Sequence, residues 1–132
     1  MEKVQSESKG LIRKGEEYLV IEKEFNGQNL IDLPGDRVEK DEGPYDALIR
    51  KVKEELSLNI RIVEPMAMWW YYPEEGVKSV CNTFLCEPEN ENSEIDKKPE
   101  SDIKNYYWMT KDELKRIKDP VEKSLIRVFR QF

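Results

Sequence analysis

Apolar positions change period several times along the chain, and each change marks an element. In GLIRKGEEYLVIEKE two β-type runs flank Lys14-Gly15, which predicts a strand, a turn and a second strand from Tyr18 to Glu22. FNGQ is a turn signal, and NLIDL is a short strand entering Pro34-Gly35. From Pro44 to Leu56 the period lengthens. Tyr45, Leu48, Ile49, Val52 and Leu56 fall within one arc of a helix, and that arc is expected to pack on a sheet. Pro44 suits the first helical position, with Gly43 as its cap. NIRIVEPMAMWWYY then reads as an aromatic strand interrupted at Pro65, PEEG as a turn and VKSVCNTFLCE as a further strand.

YYWM is a last strand, and TKDEL opens a short helix through a capping box made by Thr110 and Glu113. Asp119-Pro120 ends that helix, and another is expected from about Val121. Residues 1–8 are polar and expected to form a frayed tail, and 87–102 is expected to be a loop. Strands around one central helix, with more helix at the end, predict a single α/β domain over 1–132 whose mixed sheet is sandwiched by helices.

The chain has 132 residues and a net charge of −6. Seven acids against two lysines between Glu87 and Asp102 account for most of it. A duplex nucleic-acid surface is not expected, because phosphate binding wants a basic footprint. No apolar run approaches the roughly 20 residues of a bilayer span, so no membrane partner is expected. MEKVQSESKG lacks the apolar core of a secretory signal, which makes a cytoplasmic location the expectation. Cys81 and Cys86 lie in one strand-like run at a spacing that sends them to opposite faces, so two buried thiols are expected. With no histidine, His-based triads and His-ligated zinc are excluded.

Opposite the apolar arc of the predicted helix stand Ala47, Arg50, Lys51, Glu54 and, toward the edge, Glu55. Ala47 is small where the charges gather, and Glu39 and Glu42 arrive from the preceding loop. Four carboxylates, Glu39, Glu42, Glu54 and Glu55, are therefore expected to converge. Unpaired, they would repel by about 4 kcal/mol per close pair. Mg²⁺ or Mn²⁺ would relieve that and bring substrate phosphates with it. The other reading of the same residues is a solvated face whose acids pair with Arg50 and Lys51. In WWYY, Trp70 and Tyr72 are candidates to stack on a nucleotide base. VEKSLIRVFRQF is expected to pack on the sheet, with a homodimer interface as an open alternative.

The stretch from Asp36 to Leu58 resembles the signature box of the Nudix hydrolases: a Gly, five residues, a Glu, seven residues, then Arg-Glu-aliphatic-any-Glu-Glu-any-Gly-aliphatic. Laid on without a gap, it matches at Glu42, Arg50, Val52, Glu54, Glu55 and Leu58, and departs at Asp36, Lys51 and Ser57. The preceding LPG, Glu39 and Ala47 are similar to the family's usual surroundings, and YYWMTKDEL is similar to its Trp-Glu-Leu segment. The resemblance implies an α/β/α sandwich, a divalent metal, usually Mg²⁺ or else Mn²⁺, and hydrolysis of a nucleoside diphosphate linked to another group. It implies that the Gly35 carbonyl and the carboxylates of Glu42, Glu54 and Glu55 hold metal, and that Glu39 and Arg50 pair to fix the loop. It also implies that Asp102 joins the site. Glu54, Glu55 and Asp102 are thus the candidate catalytic residues, with Glu100 a second candidate base.

Lys51 stands where the family has a glutamate. It lowers the charge of the 51/54/55 trio from −3 to −1, so weaker metal affinity is expected. Asp36 replaces a Gly at a position that is a candidate for positive φ, and Ser57 is expected to weaken the helix C-cap. Two functions are open: a working hydrolase that recruits an acid from the 87–102 loop, or a nucleotide- or phosphate-binding module in which Lys51 holds a phosphate.

Overall fold

The computed structural model describes residues 2–99, 101–120 and 124–130. Strands β1 (Lys3–Lys14), β2 (Glu17–Phe25), β3 (Gln28–Asp32) and β4 (Gly35–Arg37) precede helix α1 (Pro44–Leu56). After it come β5 (Ile60–Glu74), β6 (Val77–Pro88), β7 (Ile103–Thr110), α2 (Lys111–Lys115) and α3 (Ser124–Phe129). The strands run in the order β3-β2-β1-β6-β5, with β4 on β1 and β7 on β2. β1 and β6 are parallel over ten pairs, from Lys3↔Val77 to Ile12↔Cys86, and the other pairings are antiparallel. The sheet is mixed.

Alternation along the strands buries apolar side chains on both faces. Ile12, Leu19, Ile21, Phe84 and Cys86 pack with Leu48, Val52 and Leu56 of α1. Their neighbours Leu11, Val20, Cys81 and Leu85 pack with Leu114 of α2 and Leu125, Val128 and Phe129 of α3. The two thiols are free and buried in different layers, as their spacing implies. The result is an α/β/α sandwich. No described helix is long and apolar enough to cross a membrane.

Three expectations change. Residues 3–8 are not a frayed tail but the first half of a central strand, held by the parallel ladder with β6. Pro65 does not interrupt β5: the strand is the last in the sheet order and shifts register on either side of the proline, an arrangement that tolerates a residue without an N–H. On α1, Tyr45 and Ile49 are exposed while Ala47 is buried, so the packed arc is rotated toward Ala47. Val121, the expected start of the last helix, lies outside the described residues.

Gly35 fixes the path of β4. Its φ of +131° is closed to most side chains, and a Cβ there would lie 2.0 Å from the Ser8 carbonyl oxygen. Only glycine lets β4 run this close to β1. Asp36 then sits opposite Ser8 with an ordinary φ, and the left-handed residue at the end of α1 is Ser57, φ 53°.

Candidate active site

The expected convergence of Glu39, Glu42, Glu54 and Glu55 splits in two. Three of them gather on Arg50, one helical turn before Glu54. Its Nε and Nη2 donate to Glu42 at 3.0 and 2.8 Å, its Nη1 donates to Glu54 at 3.2 and 3.3 Å, and Glu39 Oε1 lies 3.7 Å away. A guanidinium fork with five donors satisfies several carboxylates at once, which one ammonium cannot do. Arg50, helped by the Glu39 amide, holds the Glu42 carboxyl below its ordinary range. Arg50 thus ties Glu42 and Glu39 of the loop to the helix, and Glu42 does not line the pocket beyond.

That pocket, about 500 Å³, is lined by Asp36, Lys51, Glu54, Glu55, Lys98, Ser101 and Asp102. Lys51 Nζ lies 3.3 Å from Asp36 Oδ2 and 3.7 Å from Glu55 Oε1. Burial pulls the ammonium pKa down, but Glu55 and Asp36 outweigh it and hold it above its ordinary value. Burial likewise pushes the Asp36 carboxyl up, and the Arg37 amide and Lys51 outweigh that and hold it low. Glu55, nearly buried, accepts from Ser101 Oγ at 2.7 Å on its other oxygen.

Asp36 and Asp102 also border a second cavity, about 460 Å³, walled by Trp69, Tyr71 and Tyr72. The two cavities thus share an edge. Tyr72 reaches this cleft; Trp70 does not line it and instead lies under Lys78, with Nζ 4.9 Å from the ring centroid. Gly35 is buried in β4, and Glu100 lies outside the described residues.

At the floor of the second cavity is a charged network that the sequence did not lead us to expect. Glu7, Lys9 and Asp32 are each 5% exposed or less. Lys9 Nζ donates to Asp32 at 3.0 Å and lies 3.9 Å from Glu7. Glu7 accepts from Tyr71 at 2.8 Å and from the Ser79 hydroxyl. Burial would neutralise Lys9, but Asp32 and Glu7 outweigh it and keep its pKa high. The available signal was weak: charged residues in a polar run that only tertiary pairing turns into a strand.

A family model for the NUDIX domain matches residues 10–132. The chain belongs to the NUDIX domain family. Solved structures agree on the fold of this NUDIX domain. The MutT protein of Methanosarcina mazei Go1 superposes with a TM-score of 0.83 at 16% identity, covering 98% of this chain and 93% of that one. A MutT NUDIX hydrolase from Burkholderia pseudomallei gives 0.80 at 17%, covering 98% of each chain. An ADP-ribose pyrophosphatase from Streptococcus suis gives 0.65 at 17%, covering 96% and 90%. No curated protein matches this chain in sequence.

The divalent metal that the family implies fits these residues only in part. Among the described residues no three His, Cys, Asp or Glu side chains come together as a ready-made metal site. The carboxylates are ion-paired instead: Arg50 holds Glu42 and Glu54, and Lys51 sits between Asp36 and Glu55. Glu54 and Glu55 still face the pocket, and two carboxylates are enough for Mg²⁺ when substrate phosphates fill the rest of its shell.

Proposed function

We propose that this NUDIX domain hydrolyses the diphosphate bond of a nucleoside diphosphate linked to another group, taking the substrate with Mg²⁺ or Mn²⁺ bound to it. The observation that carries the reading is the continuous cleft: carboxylates and ammoniums at one end, aromatic walls at the other, Asp36 and Asp102 between. A diphosphate suits the charged end, and a base or sugar ring suits Trp69, Tyr71 and Tyr72. Nucleoside triphosphates with oxidised bases, ADP-sugars, dinucleoside polyphosphates and capped RNA ends all have this shape.

In this reading Lys51 and Lys98 would meet phosphate oxygens, and Glu54 and Glu55 would hold the divalent ion. The ion would supply charge neutralisation and a more acidic water. Asp102, exposed at the shared edge, accepts the proton as water adds to one phosphorus and the bridging P–O bond breaks. Two phosphate products leave.

A second reading, a nucleotide- or phosphate-binding module without turnover, is favoured by the ion pairs that occupy Glu54, Glu55 and Lys51. Incubating the protein with a panel of those nucleotides and Mg²⁺ or Mn²⁺ separates the two. Turnover that falls in Asp102→Asn and Glu55→Gln is expected of the hydrolase. Tight nucleotide binding with every compound recovered intact would establish the module instead.

A further inference from the structure

Two of the three departures from the Nudix box are charged, and they touch each other. Asp36 stands at the first Gly and Lys51 at the Glu after Arg, and their charged atoms are 3.3 Å apart. The fold seats both: Gly35 brings β4 onto β1 with Asp36 opposite Ser8, and α1 presents Lys51 to the same cavity. Lys51 also lies 3.7 Å from Glu55, itself tied to Ser101. An ammonium has three N–H donors, and Glu55 at 3.7 Å is an ion-pair partner beyond hydrogen-bond distance, so Lys51 keeps donors for a ligand.

Four carboxylates and two ammoniums line this cavity, which leaves two negative charges, so a bare diphosphate is repelled and one that carries a divalent ion is repelled less. A free metal ion must compete with Lys51 for Glu55 and with Arg50 for Glu54. A metal–diphosphate complex faces less of this competition. Its phosphate oxygens would draw Lys51 away from Glu55 and leave that carboxylate to the ion, with only the Arg50–Glu54 pair still to be met.

We propose that Asp36 seats Lys51 as a cation built into the chain, so that Lys51 contacts the diphosphate and a divalent ion enters the site only together with that ligand. The proposal rests on the diphosphate reading above. Metal and diphosphate then bind with positive cooperativity, and by linkage each raises the other's affinity by the same factor.

Equilibrium dialysis of the full chain against Mn²⁺, pyrophosphate or both, with bound metal and phosphorus measured per chain, tests this. Wild type is expected to retain little Mn²⁺ alone and to take up one Mn²⁺ with one pyrophosphate when both are present. Lys51→Met should weaken pyrophosphate uptake by about ten-fold, the loss of one charge-assisted contact. Asp36→Asn, which frees Lys51, should tighten it, and a mere folding defect would not give opposite signs. The double variant Asp36→Gly, Lys51→Glu should hold Mn²⁺ without pyrophosphate. Wild type holding Mn²⁺ alone as tightly as that double variant would overturn the proposal. Equal pyrophosphate uptake by wild type and Lys51→Met would overturn it while leaving the diphosphate reading standing. If no variant takes up pyrophosphate with Mn²⁺, the diphosphate reading falls and the proposal with it.

Discussion

Ser101 donates its hydroxyl to Glu55 Oε2 at 2.7 Å and so ties the acidic loop to the last turn of α1. The amides of Asp96 and Lys98 complete the tie, donating to the carbonyls of Leu56 and Glu55 at 2.9 and 3.0 Å. These carbonyls are among those that a helix end leaves without partners. The loop therefore caps the helix that carries the site.

Ser101→Ala leaves a nearly buried carboxylate oxygen without its donor, at a cost of about 1–2 kcal/mol. A lower urea midpoint with an unchanged slope, and faster hydrogen exchange at the Lys98 amide, are the expected readouts. Unchanged exchange there would show that the loop is held by other contacts.

Lys9→Met should be far more damaging. It strands Asp32 and Glu7 in the interior, and breaking a buried ion pair from one side costs about 3–5 kcal/mol. Asp32 loses the ammonium 3.0 Å away and, among the described residues, keeps Lys23 at 4.0 Å and the Leu33 amide. Chemical denaturation measures the loss.

Ser57→Gly should stabilise the protein. Ser57 holds φ 53° at the end of α1, and a left-handed residue with a Cβ costs about 1–2 kcal/mol. Glycine removes that strain but adds freedom to the unfolded chain, so a gain of about 0.5–1 kcal/mol is expected from chemical denaturation.

Alkali should unfold the chain. Burial pushes the Cys86 thiol up to about 12, and burial with Glu7 pushes Cys81 higher still. Both stay protonated when folded, whereas an unfolded thiol ionises near pH 8.5–9, roughly its model-peptide value. Their contribution is complete below that pH and is lost as pH rises toward the folded values. Stability should fall steadily from about pH 9 upward. A thiol reagent at pH 8 should label neither cysteine until denaturant is added.

Strong local signals made part of this legible in the sequence. Pro44 and the apolar spacing define α1 from Pro44 to Leu56, and Thr110 with Glu113 forms the capping box of α2. Both depend on neighbours a few residues away. The first half of β1 does not. Glu7 and Lys9 are interior only because Tyr71, Ser79 and Asp32 meet them from distant strands, and no local pattern encodes that meeting. The acids of the box were legible as types but not as partners. Spacing puts Glu54 and Glu55 on one helix face, yet only the positions of the preceding loop and of β4 send Glu42 to Arg50 and Asp36 to Lys51.

The most direct measurement of the proposed chemistry is hydrolysis of a nucleoside diphosphate derivative in ¹⁸O-labelled water with Mg²⁺ or Mn²⁺. Label should appear in the phosphate of one product, and the rate should fall by about 10²-fold or more in Asp102→Asn, the range for losing a general base. Nucleotide that binds the cleft yet is recovered whole and unlabelled would contradict the account.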